Sequence, residues 1–326
     1  MNRKLYIAAC ASLALAACAG AAITAQPWTQ GSTSAAWQAQ PASTRTIGLG
    51  LPGGATLAPQ VVFAGGAHLL TPTVSPLRSL SDLKLVGGNG FVAVSDAGDL
   101  VRGELRLDDN GQLVGLDQLR SVRLTMLDGQ PISNKVDGDA EGLALLDNGD
   151  VLVSFERDHR IWNYGPLDAL TKPREVPRPI WPFDDNGGME GLASHGQQWR
   201  VAGEDGGVWD CTISECVAVQ IPPQTRPRDS DYRMTALDRD PSGDGYWLVQ
   251  RSFSPPMDVR ARVRRMDERG NLGPVLIELK LPGTTDNFEG IAATRKDGKT
   301  RLYILSDDNE NPLQRTLMLA FDVADQ

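Results

Sequence analysis

The chain has 326 residues, a formal net charge of −9, and 41% hydrophobic against 22% charged residues. That composition excludes a disordered or membrane-embedded protein, and the acidic balance argues against nucleic acid or anionic lipid as a partner. The length allows one large domain or two small ones, and 34 glycines with 21 prolines suit many turns between short strands.

Arg3 and Lys4 head an apolar run from Leu5 to Ala16, too short to span a bilayer. The run ends Leu15-Ala16-Ala17-Cys18, which resembles a bacterial lipobox. Residues 1–17 therefore read as a lipoprotein signal peptide and Cys18 as the lipidated first mature residue. A plain signal peptide with Cys18 incidental is the alternative. Ala19 and Gly20 include no aspartate, which favours the outer membrane, with the protein facing the periplasm. Removing residues 1–17 takes off Arg3 and Lys4 and no acid, so the mature chain is more negative still. Residues 18–45, rich in Ala, Gln, Ser, Thr and Gly without periodicity, are expected to be a flexible tether.

Residues 46–326 read as a single all-β domain. Val61-Val62-Phe63-Ala64 and His68-Leu69-Leu70 are short strands bracketed by Gly and Pro. Then a phrase recurs. Glu141-Gly142-Leu143-Ala144 leads to Ser154-Phe155-Glu156-Arg157; Glu190-Gly191-Leu192-Ala193 leads to Val201-Ala202-Gly203-Glu204; Glu289-Gly290-Ile291-Ala292 leads to Leu305-Ser306-Asp307. Two weaker copies are Ser81-Asp82-Leu83-Lys84 with Val94-Ser95-Asp96, and Met234-Thr235-Ala236-Leu237 with Val249-Gln250-Arg251. In the last, threonine replaces the corner acid and Arg251 the strand-end acid.

Corner positions lie 49 residues apart from Glu141 to Glu190, 45 on to Thr235 and 54 on to Glu289. A period near fifty with several short strands per unit is the mark of a β-propeller. The domain has room for about six blades. The sixth is expected to combine the strands before Ser81 with Thr316 to Phe321, closing the ring with N- and C-terminal strands.

The first strand of every propeller blade lines the central channel, so equivalent positions face one another. Glu141, Glu190, Glu289, Asp96 and Glu204 are then candidate metal ligands. Converging carboxylates cannot all stay ionised without a cation, and an all-oxygen set suits Ca²⁺ first, Mg²⁺ or Mn²⁺ behind. Capping of backbone amides in a neighbouring blade is the structural alternative for each acid. Arg157 and Arg251 are candidate anion clamps, with Glu156 or Asp307 as general base. Inter-blade salt bridging is the alternative for the arginines. Asp137 to Gly142 opens like an EF-hand loop, but the twelfth position is Asn148 and the intervening leucines read as a strand.

No G-x-S-x-G elbow is present, and His68, His159 and His195 have no zinc spacing. Cys211 and Cys216 are five apart and expected to form a disulfide across a hairpin tip in an oxidising periplasm. A free pair or a metal site remains open, though zinc lacks two further ligands nearby.

The blade phrases ending Glu156-Arg157 and Gln250-Arg251-Ser252-Phe253, and above all Asn287-Phe288-Glu289-Gly290-Ile291 with Ser306-Asp307-Asp308-Asn309 and Gln314-Arg315-Thr316, resemble the phytase-like family, often described as esterase-like activity of phytase. The resemblance covers roughly residues 45 to 325. It implies a β-propeller akin to calcium-dependent propeller phytases, which hydrolyse phosphate monoesters. The expected function is a periplasmic, metal-assisted hydrolase of a small anionic phosphate or carboxylate ester, acting as a monomer. Alternatives are a lactonase-like single-metal propeller and a lipid-anchored, non-catalytic scaffold.

Overall fold

The computed structural model of the protein describes residues 36–255 and 257–325. The leader read over residues 1–17 and the lipidation site Cys18 lie outside the described residues. Four-stranded antiparallel units follow one another along the chain. Blade 1 runs through Leu80–Val86, Gly90–Ser95, Asp99–Leu107 and Leu113–Arg123. Blade 2 uses Ala140–Leu145, Asp150–Phe155, Arg160–Pro166 and Arg174–Val176. Blade 3 is Gly191–His195, Gln198–Ala202, Val208–Cys211 and Cys216–Gln220. Blade 4 is Arg233–Arg239, Tyr246–Ser254, Asp258–Met266 and Leu272–Leu279, with Ala55–Leu57 added at its edge. Blade 5 takes Asn287–Lys296, Lys299–Asp307 and Thr316–Val323, and completes itself with Val61–Leu70 from the other end of the chain.

The first strands of the blades contact one another in a closed cycle, blade 1 to 2 and onward to 5 and back to 1. The described residues therefore form a propeller of five blades, not six. Thr316–Val323 and Val61–Leu70 do pair, and the expected closure by the two ends of the chain is present. They do so inside blade 5, however, because Thr316–Val323 also pairs with Lys299–Asp307. Extra edge strands take up the length that a sixth blade was meant to fill. Ser43–Thr46 pairs with Val61–Leu70, and Gln38–Ala39 with Leu113–Arg123. The tether read as far as residue 45 is thus folded onto the sheets from Gln38 onward.

Hydrophobic periodicity explains why the ring holds. Middle strands such as Asp150–Phe155 are buried along their whole length. Alternate residues face opposite neighbours. Val151 and Val153 pack with Val92, Val94 and Leu100 of blade 1, while Leu152 packs with Leu192 and Val201 of blade 3. Each of the five interfaces has its own apolar cluster, the last joining Leu83, Ala93 and Val101 of blade 1 to Ala292, Tyr303 and Met318 of blade 5. Cys211 and Cys216 are cross-strand partners at the tip of blade 3 and are disulfide-bonded.

The channel is crossed by a buried ion pair. The Lys84 Nζ lies 2.7 Å from the Asp82 carboxylate, and both residues are buried. Lys84 also donates to the Leu237 carbonyl of blade 4 and the Ile291 carbonyl of blade 5, at 3.1 and 3.3 Å. Asp82 accepts from the Leu143 amide of blade 2 at 3.0 Å and the Ile291 amide at 3.4 Å. Two side chains of blade 1 thereby tie together the inner strands of four blades.

Candidate active site

The corner acids are delivered by a backbone irregularity. Where the first strand of a blade pairs with the second, the register slips between Leu80 and Asp82, between Met234 and Ala236, and between Phe288 and Gly290. The extra residue is Ser81, Thr235 and Glu289 respectively. In blade 2 the slip falls opposite Ser154, at Glu141-Gly142. Such a bulge re-aims one side chain out of the strand alternation. The blade 1 equivalent of Glu141 is therefore Ser81 rather than Asp82, which sits one residue deeper.

The glycine that follows has a separate cause. A Cβ on Gly142 would stand 2.8 Å from the Glu190 carbonyl and 2.9 Å from the Leu192 Cβ; on Gly290 it would stand 2.9 Å from Leu83. Each Glu-Gly pair thus sends a carboxylate into the channel and lets the next blade approach. Strand-end acids are fixed by a recurring bond. The Glu156 amide donates to the Asp139 carbonyl, Glu204 to Gly188, and Asp96 to Ser79, at 2.8 to 3.0 Å.

All nine candidate residues converge on one cavity of about 260 Å³ at the channel mouth: Asp96, Glu141, Glu156, Arg157, Glu190, Glu204, Arg251, Glu289 and Asp307. Every residue lining it is polar or charged, with eight carboxyl groups against three cationic side chains. Lys135 and Asp139 belong there too. Sequence reading missed both, although Asp139 lies two residues before Glu141 and blade pairing sets it opposite Glu156. Lys135 belongs to a single helical turn, Lys135–Gly138, in the connection between blades 1 and 2 and outside the repeat. His159 and Arg160 do not join the cavity. Arg160 lies over Phe155 and Trp162, and the His159 ring packs at a tilt against Phe183.

The cavity has two sides. On the blade 3–4–5 side Glu204 and Glu289 have basic partners. Glu204 pairs with Arg233 at 3.0 Å, and Arg251 reaches Glu204 at 3.7 Å and Glu289 at 3.5 Å. Asn287 donates to Glu289 at 2.7 Å. The Arg251 Nε is buried without a hydrogen-bond partner.

On the blade 2 side, oxygens of Asp139, Glu141 and Glu156 lie within 4.8 Å of one another. Asp139 is paired with Lys135 at 2.9 Å and with Arg157. Glu141 and Glu190 have no basic ion-pair partner among the described residues. Loss of solvent, then repulsion from Glu156 and Asp139, pushes Glu141 well above the usual carboxylate range. Glu190 rises for the same reasons, facing Glu141 and Glu156. Burial raises Glu156 to about 7, opposed by a hydrogen bond from Glu190. Burial and the nearby Glu289 and Asp96 raise Asp307.

A ring of blades that gathers eight carboxyl groups, two arginines and a lysine at one channel mouth defines a propeller with a densely charged channel, and its Asp139–Glu141–Glu156 cluster could hold a metal ion. The chain belongs to the phytase-like family: the model described as esterase-like activity of phytase matches residues 75–310. Solved structures with a similar course include a candidate gluconolactonase, at 13% identity and TM-score 0.44, covering 88% of this chain and 95% of that one. A streptogramin B lyase matches at 9% identity and TM-score 0.39, over 86% and 98%. The Malassezia sympodialis allergen Mala s 1 matches at 14% and 0.39, over 82% and 90%. No curated protein matches the sequence.

Proposed function

We propose that the protein is a metal-assisted hydrolase of small, hydrophilic phosphate or carboxylate esters, with Ca²⁺ as the fitting ion. The observation that carries this reading is the Asp139–Glu141–Glu156 cluster, an all-oxygen set whose Glu141 has no basic partner. Asp139 already has Lys135 and Arg157, but Glu141 and Glu156 beside it stay unprotonated only if a further cation joins them, and hard oxygen donors fit Ca²⁺ or Mg²⁺. The donor set thus fits the ion. When bound, Ca²⁺ supplies charge neutralisation for an anionic ester and polarises its oxygen.

The chain's own residues do the rest. Glu190 holds Glu156 through their hydrogen bond. Arg251, with its unpaired Nε, faces the cavity as anion clamp, and Arg157 flanks it from blade 2. Asp307 has no basic partner among the described residues and is the group placed to take a proton from water. The absence of apolar lining disfavours long acyl esters and the lactonase-like reading, which calls for an apolar pocket. The disulfide supports an oxidising compartment, consistent with a monomeric protein tethered through Cys18 to the outer membrane and facing the periplasm.

Turnover of p-nitrophenyl phosphate, phytate, p-nitrophenyl acetate and gluconolactone, with Ca²⁺ and with EDTA, tests the proposal. Calcium-dependent hydrolysis of an anionic ester, lost in Arg251→Gln, is expected. Hydrolysis of none of the panel would favour the scaffold reading. Hydrolysis indifferent to EDTA and to Glu141→Gln would remove the metal.

A further inference from the structure

The Asp139 carboxylate is the one member of the three-acid cluster that already holds cations on both oxygens. Lys135 Nζ binds one oxygen at 2.9 Å, and Arg157 Nε binds the other. Lys135 also binds the Asp96 carboxylate at 2.6 Å, so one ammonium bridges the strand-end acid of blade 1 to the metal cluster of blade 2. Its own proton is held tightly, since Asp96 and Asp139 raise its pKa despite partial burial.

An ammonium and a divalent ion cannot share this carboxylate comfortably. A divalent ion on the same carboxylate repels the ammonium about twice as strongly as a second single charge would at that distance. One of them must leave, and the two acids are built in while the lysine is not. Asp139 is buried and sits against the Glu156 amide, whereas the Lys135 side chain is 45% exposed. Its anchor is one helical turn, capped by Asn134 accepting from the Asp137 amide. A rotation about the lysine stem carries the ammonium outward without moving a blade.

We propose that Lys135 is a tethered counter-ion that occupies the metal-free site and is expelled into the cavity mouth when a divalent cation binds. The inference rests on the metal reading above and adds a specificity element to it. The expelled ammonium lies at the entrance, where it adds to Arg157 in selecting anionic substrates. Metal binding and affinity for the anion are thereby coupled through one side chain.

Amine-acylation footprinting of the full chain, read by mass spectrometry with and without Ca²⁺, follows the displacement directly. Lys135 labelling is expected to rise severalfold with Ca²⁺ while Lys172 and Lys296 stay constant. Calorimetry of Ca²⁺ alone binding to Lys135→Met is expected to show about tenfold tighter binding than wild type, because a competing charge is gone. Ca²⁺ binding with Lys135 labelling unchanged would overturn the counter-ion proposal and leave the metal reading intact. Lys135→Met binding no tighter than wild type would do the same. No Ca²⁺ binding to either protein overturns both.

Discussion

Two acids in the same channel, Asp82 buried and Glu141 half-buried, are partnered to opposite degrees. Asp82 sits at the crossing of the channel with Lys84 at 2.7 Å and three backbone amides of blades 1, 2 and 5 on its oxygens. Glu141, two residues before the Leu143 amide that Asp82 binds, faces other carboxylates and no base. The first arrangement is complete within the chain and ties inner strands together. The second is incomplete and calls for something from outside. Hydrogen-bond and charge satisfaction, rather than acidity, separates the structural acid from the candidate ligand.

The largest effect is expected at the satisfied end. Lys84→Met leaves Asp82 buried without its cation and should cost about 3–5 kcal/mol of stability, measured by chemical denaturation. Calcium should not rescue it. At the unsatisfied end the sign reverses. Glu141→Gln removes one of several repelling carboxylates and should raise metal-free stability by about 1 kcal/mol while abolishing Ca²⁺ binding. If both substitutions destabilise alike, the contrast between the two regions is lost.

Titration offers a finer separation. Glu156 is raised from 4.5 to about 7 in the folded protein, so the folded state holds its proton where the unfolded state has released it. Metal-free stability should therefore fall as pH rises from 4.5 through about 7. Asp96, raised from 3.8 to about 6, adds the same sign at lower pH. Protons compete for the ligands, so Ca²⁺ affinity should weaken as pH drops through this window, and saturating Ca²⁺ should flatten the stability profile. The smallest effect lies farthest from the channel. Replacing Cys211 and Cys216 by serine opens a short loop at the tip of blade 3 and should cost at most about 2 kcal/mol without changing Ca²⁺ binding.

The repeat made the channel mouth legible because burial on both faces forces each blade into the same strand pattern. Glu141, Glu190 and Glu289 could be set opposite one another from spacing alone. Asp82 and Ser81 could not be told apart, since a one-residue bulge is invisible in a pattern of apolar runs. Lys135 escaped for a different reason. It lies in a connection between blades, where no periodicity assigns a position. Asp139 carried a usable signal, its pairing with Glu156 across the hairpin, but it stands outside the recurring Glu-Gly phrase. The blade count went astray because length is a poor measure where the chain ends add edge strands. Ser43–Thr46 and Ala55–Leu57 lengthen existing sheets instead of founding a new one.

Cation binding by the unsatisfied carboxylates at the channel mouth is open to a direct measurement. Thermal unfolding of the wild-type protein and of Glu141→Gln, each at pH 7.5 with EDTA and with millimolar Ca²⁺, tests it most directly. A calcium-induced rise in melting temperature of several degrees is expected for the wild type and none for the variant. A wild-type melting temperature indifferent to Ca²⁺, Mg²⁺ and Mn²⁺ would contradict it.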